Sequence, residues 1–275
     1  MFICTSILLR KTLVVHPHGM ADRKHNELWH LPKQLNIACL NALSPFFTVR
    51  FLNQNEKSSS HLSPSSCSIM PNLSFVTLAE KSFNPHSQPS LNLESVDSPS
   101  LNCVYVGRLH RKKRVYLQIE AINILRQQGL AVSLTIIGPD DGELSSLKSL
   151  VKRLHITDSI KFLGAVAYGD ISYHLRKYHL LLLTSSNEGD PMTIRDALIN
   201  KVPVFLTDTL AHMQDLAPQA ILVSESTPQS IASSLRQLIS HPEKLARLLS
   251  AAKDSSTILC ADAQTSLLRF YSNIH

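Results

Sequence analysis

The sequence has few glycine and aromatic residues, and its cysteines are not regularly spaced. Only 8 of its 275 residues are glycine, whereas an average protein has roughly 7%. The cysteines are odd in number and never spaced as CxxC, which argues against a disulfide scaffold and favours reduced thiols in a cytosol. Aromatic residues are not interleaved with basic ones as a nucleic-acid platform would require, so we expect no nucleic-acid partner.

Long apolar runs are missing as well. Residues 1–9 are apolar but short and lack a basic leader, so they predict a strand rather than a signal peptide or a membrane span. What the chain does have is 44% hydrophobic residues, enough to bury a core, and a formal net charge of +6. This charge is compatible with anionic partners such as nucleotide diphosphates or an anionic membrane face.

From residue 101 onward, strand and helix patterns alternate. Helical spacing of apolar residues follows Val115 and recurs at 144–154 and 228–239. Apolar runs predict strands at residues 101–106, 132–137, 160–163, 178–183, 202–206 and 220–223. This rhythm predicts an α/β fold with a parallel sheet covered on both faces, and ligand sites at the carboxyl ends of the strands.

Two segments rich in Ser, Pro and Asn interrupt the pattern near the start of the chain. Residues 58–68 predict a flexible loop, and residues 82–100 predict a linker between domains. We therefore expect a first domain at 1–81, a linker at 82–100 and a second domain at 101–258. The remaining residues, 259–275, predict a terminal helix.

A pair of acids follows the apolar strand 178–183. Glu188 lies at the junction between this strand and the next helix, where Asp190 is a natural N-cap and Pro191 suits the first turn. Asp196 follows about two helical turns later. The two acids would then line one cleft, where carboxylates can bind sugar hydroxyls. The alternative interpretation is an N-cap and a surface acid on an ordinary helix.

A basic segment follows the first strand of the second domain. Gly107 makes a turn, and Arg108 and Lys113 fall in the loop and first helical turn beyond it. Cations there can meet a diphosphate, Arg through a bidentate fork and Lys as a point charge. The alternative is that HRKKR, residues 110–114, is a solvated charge run, a nuclear-import signal or a nucleic-acid patch.

In this order, the basic segment and the acid pair resemble the motifs of retaining GT-B glycosyltransferases of family 4. The resemblance implies that Arg108 and Lys113 neutralise the donor phosphates. Glu188, followed by Gly189 and Asp190, would contact the donor sugar. The resemblance also assigns Asp196 to the nucleotide ribose, at a position where the family normally has Glu.

Two turns and the terminal helix add to this resemblance, and one residue departs from it. Residues 263–274 resemble the helix that in this fold crosses back to the first domain. Gly138 and Gly164 match family turns that follow strands, and the backbone after the second turn lies near the nucleotide base in the family. We therefore expect both glycines to be at the substrate site. Arg114, in contrast, replaces the Gly that commonly follows the family's Lys.

The first domain resembles the family only in part. Residues 12–20, TLVVHPHGM, are similar to the His-Gly turn late in the family's first domain, and 49–58 and 70–72 to its last strands. The chain would then begin inside a truncated acceptor domain, without the family's glycine-rich loop. This match gives His18 a place near the donor sugar. The His16/His18 spacing would also allow a metal pair, but no further ligand is close in sequence and the family needs no metal or cofactor.

The resemblance predicts a glycosyltransferase that moves a sugar from a nucleotide-diphosphate sugar to a glycan or lipid-linked acceptor with retention. It also predicts polysaccharide biosynthesis in the cytoplasm, with peripheral association at the inner membrane face as an option. Two alternatives stay open. The chain could be a catalytically weak or inactive nucleotide-binding remnant of such an enzyme, or a basic nucleic-acid-binding protein.

Overall fold

A computed structural model describes the backbone of residues 13–15, 47–51, 67–69, 100–188 and 191–272, and the side chains of 100–188 and 191–261. The chain divides into two compact units, Met1–Leu73 and Ser74–His275. The described part of the first unit is a parallel sheet of short strands in the order β1-β2-β3. These strands are β1 (Leu13–Val15), β2 (Phe47–Phe51) and β3 (Cys67–Ile69).

The second unit is built on a six-stranded parallel sheet. Its strands are β4 (Leu101–Val106), β5 (Val132–Ile137), β6 (Ile160–Gly164), β7 (Leu180–Leu183), β8 (Val204–Thr207) and β9 (Ile221–Ser224). Their order is β6-β5-β4-β7-β8-β9. The chain therefore winds outward from β4 in one direction and outward from β7 in the other. The neighbouring carboxyl ends of β4 and β7 are the topological switch point, where such sheets bind ligands.

Helices connect the strands and cover both faces of this sheet. They are α1 (Val115–Gln127), α2 (Leu144–Arg153), α3 (Ile171–Leu175), α4 (Met192–Ile199), α5 (Pro228–Ser240) and α6 (Pro242–Ser272). A 3-10 helix, Asp208–Leu216, joins β8 to β9. None of the helices in the described ranges combines the length and the apolar composition that crossing a membrane requires.

Strand β7 shows why the sheet is buried on both sides. Its four leucines are all buried, and they alternate between two apolar cores. Leu180 and Leu182 belong to the core that includes residues of α1 and α5, whereas Leu181 and Leu183 belong to the core that includes residues of α4. Burial of each such side chain contributes about 1.5–3 kcal/mol. Because helices cover both faces of the sheet, a ligand can approach the sheet at the ends of its strands.

Two helix boundaries differ from the sequence-based expectation. The N-cap of α4 is Pro191, which has an extended backbone, so the helix begins at Met192, one residue later than predicted. Helix α6 begins at Pro242, so the expected helix at 263–274 continues a much longer one. Its early turns bury Leu245 and Ala252, and this apolar spacing is what extends the helix.

Two charged residues at helix ends adopt the left-handed conformation that normally favours glycine. Arg114 precedes α1 with φ of 48°, and Lys201 follows α4 with φ of 63°. At Lys201 the reason is the helix end itself, because Val202 N–H donates to Ala197 O at 2.9 Å and Lys201 N–H donates to Leu198 O, also at 2.9 Å. Such a conformation costs a residue with a side chain about 1–2 kcal/mol.

Candidate functional site

The chain after β4, here called the β4 loop (residues 107–114), runs beside the ends of β5 and β6. Gly107 N–H donates to Ile137 O at 2.9 Å, and Gly138 N–H donates to Gly164 O at 2.8 Å. A side chain at Gly138 would not fit, because its Cβ would lie 1.9 Å from Gly107 O. Close backbone packing is therefore a sufficient reason for glycine at 138, and the contact of Gly138 and Gly164 with a substrate stays a prediction.

Arg108 lies in the β4 loop, and its exposed side chain forms a salt bridge. Its Nη1 lies 3.0 Å from Oδ2 of Asp141, and the two side chains are 68% and 38% exposed. Asp141 comes from the turn after β5, which lies beside the β4 loop because Asp141 N–H donates to Leu109 O at 3.2 Å. The sequence motifs gave no sign of this partner, which stands 33 residues away.

Tyr105, on β4, forms a hydrogen bond to the backbone of the β4 loop. Its buried hydroxyl donates to Arg108 O at 2.8 Å. Burial raises the pKa of Tyr105 far above its ordinary value, and the negative charge of Glu188 raises it further. The phenol therefore stays protonated and remains a donor to the loop at all ordinary pH values. Gly107 leaves room for it, since a Cβ there would lie 2.8 Å from the tyrosine oxygen.

Lys113, predicted to neutralise the donor phosphates, and Glu188, predicted to contact the donor sugar, meet at the switch point. Lys113 closes a 3-10 turn, Arg111–Lys113, and Glu188 lies in the loop after β7, whose residues 184–188 are here called the β7 loop. Lys113 Nζ and Glu188 Oε1 form a salt bridge whose side chains are only 21% and 14% exposed. The structure thus brings together a cation for phosphate and an acid for sugar, 75 residues apart in sequence.

Backbone hydrogen bonds hold the two loops together around this pair. Ser186 N–H donates to Lys112 O at 2.8 Å. The Thr184 hydroxyl lies 3.0 Å from Lys113 O, and Gln118 Nε2 of α1 donates to that hydroxyl, also at 3.0 Å. The position of Lys113 relative to Glu188 is therefore fixed by the main chain as well as by their charges.

Asp196 lies on α4 and is 3% exposed, so it is not a surface acid. The hydroxyl of Tyr168, from the 3-10 turn after β6, lies 3.2 Å from its Oδ1 and 3.4 Å from its Oδ2. Tyr168 itself is 45% exposed. Sequence reasoning missed this tyrosine, although a hydroxyl just beyond the carboxyl end of a strand was a signal that could have pointed to it.

Some predicted residues cannot be placed. His18, Gly189 and Asp190 lie outside the described residues, and so does the His16/His18 pair. Within the described ranges, no three His, Cys, Asp or Glu side chains are grouped so that they could hold a metal ion. Two further cations of the HRKKR run, Arg111 and Lys112, are exposed and belong to the same turn as Lys113.

Comparison with protein families gives a match over the second unit. The family described as "Glycosyl transferases group 1" matches residues 96–255. Among curated proteins, the chain is similar to the amylovoran biosynthesis glycosyltransferase AmsK of Erwinia amylovora, with 28% identity over 157 residues, or 54% of this chain and 38% of AmsK. It is also similar to the O-antigen biosynthesis glycosyltransferase WbnH of Escherichia coli, with 32% identity over 135 residues, covering 49% of this chain and 36% of WbnH. These matches span less than two fifths of the relatives' own length.

Solved structures share the fold. The structure of Anabaena Alr3699/HepE in complex with UDP aligns with a TM-score of 0.78 at 19% identity, covering 99% of this chain and 75% of HepE. The structure of WaaG, a glycosyltransferase involved in lipopolysaccharide biosynthesis, aligns with a TM-score of 0.67 at 15% identity, covering 90% of this chain and 70% of WaaG. The predicted α/β fold of the GT-B type is confirmed.

Proposed function

The chain belongs to the glycosyl transferases group 1 family, and from that premise we propose that it transfers a sugar from a nucleotide-diphosphate donor to a glycan or lipid-linked acceptor with retention. The observation that carries this proposal is the salt bridge between Lys113 and Glu188 at the switch point. A cation for the leaving diphosphate and an acid for the sugar are needed side by side in such a transfer. Here they are held by two loops at the carboxyl ends of adjacent strands.

The chemistry required of the protein is mainly electrostatic. As the bond from the sugar to the diphosphate breaks, negative charge grows on the phosphate oxygens, and Arg108 and Lys113 would stabilise it. Each cation is already paired with a carboxylate, so the donor phosphate would enter as a second or replacement partner. The ammonium group of Lys113 has three protons and can donate to a phosphate while it keeps its contact with Glu188.

The two acids would orient the donor. Glu188 would accept hydrogen bonds from hydroxyls of the donor sugar, and the buried Asp196 would accept them from the ribose. Retention would follow if the donor phosphate assists attack on its own face of the sugar, as the family resemblance implies, so no separate protein base is assigned. Gly189 and Asp190 belong to the same proposed donor site, and the role of His18 stays a prediction of the family resemblance.

The relatives suggest where to begin with substrates. Their names place them in amylovoran and O-antigen biosynthesis, so a role in polysaccharide biosynthesis is part of the proposal. The HepE structure contains UDP, which makes UDP the first nucleotide to test. A cytoplasmic location, with peripheral association at an anionic membrane face, is proposed with the lipid-linked acceptor and would be tested by binding to anionic vesicles.

Calorimetric titration with UDP, GDP and ADP tests the donor site directly. One nucleotide should bind, and the double variant Arg108→Ala/Lys113→Ala should lose that binding, because each charge-assisted contact contributes about 1.5–3 kcal/mol. The matched control is Lys152→Ala/Arg153→Ala, which removes the same charge from exposed positions on α2. Equal affinities of the two double variants would remove Arg108 and Lys113 from the proposed donor site.

A transfer assay tests the reaction itself. With the sugar nucleotide of the best-binding base, NMR of the product should show the anomeric configuration of the donor. Glu188→Gln should lower the rate at least about tenfold, since it replaces a carboxylate that is proposed to hold the sugar. A product with inverted configuration would contradict retention, and an unchanged rate in Glu188→Gln would contradict the role of this acid.

A further inference from the structure

Arg114 bonds to more segments around the switch point than either proposed phosphate ligand does. Its Nε donates to Thr184 O at 2.7 Å, and its Nη2 lies 3.0 Å from Ser185 O. The same Nη2 also lies 2.8 Å from Thr209 Oγ1 and 3.2 Å from Ser226 Oγ. The guanidinium thus ties the β4 loop to the segments that follow β7, β8 and β9.

The backbone of Arg114 shows that this arrangement has a cost. The residue has φ of 48° and ψ of 39°, a left-handed conformation that glycine adopts without strain. Glycine is also what commonly follows the lysine in the family resembled. An arginine here is therefore unfavourable for the local backbone, and its side chain has to compensate through the contacts that it makes.

Those contacts lead directly to the proposed donor site. Lys113 immediately precedes Arg114, and the two carbonyl groups that accept from Arg114 begin the β7 loop, which carries Glu188. No acid forms a salt bridge with Arg114 in the part of the chain whose side chains are described, since its partners there are carbonyl and hydroxyl oxygens. Arg114 therefore braces both loops without competing for Glu188.

We infer that Arg114 is a positioning residue, which holds Lys113 and Glu188 in register so that both can act on a donor diphosphate and its sugar. The inference rests on the proposed function for its ligand, but the bracing itself is a property of the two loops. Arginine is suited to this role because its planar fork can bond two successive carbonyl groups, and lysine cannot reproduce that geometry.

The experiment compares Arg114→Gly, Arg114→Lys and Lys201→Gly. Lys201 is the matched control, because it is also a cation in a left-handed conformation, but it is exposed and lies at the far end of α4 from the N-cap. Arg114→Gly should weaken binding of the preferred nucleoside diphosphate by about tenfold, the loss expected when one charge-assisted contact is misplaced. The affinity of Arg114→Gly for the corresponding nucleoside monophosphate should fall by a smaller factor. Lys201→Gly should change neither affinity.

Arg114→Lys separates positioning from charge, since it keeps the cation and loses the fork. If Arg114→Lys binds the diphosphate as weakly as Arg114→Gly does, the result supports positioning. If Arg114→Lys binds it as tightly as the unmodified protein, the inference is overturned. An unchanged preference for the diphosphate over the monophosphate in Arg114→Gly would also overturn the inference.

Hydrogen exchange gives a second readout that needs no nucleotide. The amide of Ser186 donates across the two loops to Lys112 O at 2.8 Å, so its exchange should become at least about tenfold faster in Arg114→Gly and stay unchanged in Lys201→Gly. If the unmodified protein binds none of the nucleotides, the proposed function fails. Faster Ser186 exchange would still support the bracing, and unchanged exchange would overturn it.

Discussion

Two salt bridges near the switch point have the same chemical type and very different surroundings. Arg108 and Asp141 are 68% and 38% exposed, whereas Lys113 and Glu188 are 21% and 14% exposed. Water screens the first pair, so we expect it to contribute little to folding. The second pair is shielded, so its charges interact more strongly and loss of one partner leaves the other poorly solvated.

This difference suggests separate roles for the two cations in the proposed site. Arg108 can leave Asp141 at little cost and move to an incoming phosphate. Lys113 is held in place, because Ser186 N–H donates to Lys112 O and the Thr184 hydroxyl donates to the carbonyl oxygen of Lys113 itself. One cation would therefore capture the donor, and the other would define where the bond to the sugar breaks.

Double-mutant cycles for the two pairs should give the largest contrast. The coupling free energy of Lys113 and Glu188, from alanine variants in urea unfolding, should be about 1–3 kcal/mol, because truncation of either partner leaves a shielded charge unpaired. That of Arg108 and Asp141 should be about 0.2–1 kcal/mol and should shrink further in 1 M salt. Equal coupling free energies would contradict the conclusion that the shielded pair interacts more strongly than the exposed pair.

Neutralising the acid of each pair should separate their roles in binding. Asp141→Asn should raise the affinity for a nucleoside diphosphate about two- to threefold, since Arg108 loses the carboxylate that competes with phosphate. Glu188→Gln should instead lower the affinity for the nucleotide sugar relative to the free diphosphate. Calorimetry with both ligands measures this ratio, and the same ratio in both variants would mean that Glu188 does not contact the sugar.

Much of the fold could be predicted from local patterns. The strand at 132–137 was predicted with the bounds it has, and the helix predicted at 144–154 starts at Leu144 as expected and ends one residue earlier, at Arg153, because each is an apolar pattern bounded by a clear turn. The start of α6 at Pro242 was missed, although Pro at a first helical position and the buried spacing of Leu245 and Ala252 are local signals. The family match confirms that the motifs belong to a group 1 glycosyl transferase, and retention stays a proposal.

The candidate site could be predicted only as far as motifs reach. Motif order placed Lys113 and Glu188 near each other, but the partners Asp141 for Arg108 and Tyr168 for Asp196 come from other strand ends. Such pairings depend on how loops from different strands lie side by side, which no spacing along the chain records. The bonds of Arg114 to residues 70 to 112 positions away are of this kind.

The smallest expected effect is the acid sensitivity of the turn that carries Asp141. Its neighbour Asp140 accepts from three backbone N–H groups through one oxygen, those of Gly142 at 2.9 Å, Leu144 at 3.0 Å and Glu143 at 3.1 Å. These hydrogen bonds, that of Leu144 first, hold the pKa of Asp140 below its ordinary value of 3.8. The charged carboxylate thus anchors the turn beside the exposed salt bridge.

The sign of the pH dependence follows from this lowered pKa. Asp140 contributes stability above its unfolded pKa of 3.8, and this contribution is lost as pH falls through the lower folded value. Asp140→Asn should therefore be less stable than the unmodified protein at pH 7, and the two should converge as pH falls below 3.8. The difference in the free energy of unfolding between the two proteins is measured by urea unfolding at each pH. If the difference in free energy of unfolding between Asp140→Asn and the unmodified protein stays constant with pH, the backbone hydrogen bonds do not depend on the charge of the carboxylate. The turn that carries Asp140 and Asp141 would then be insensitive to acid.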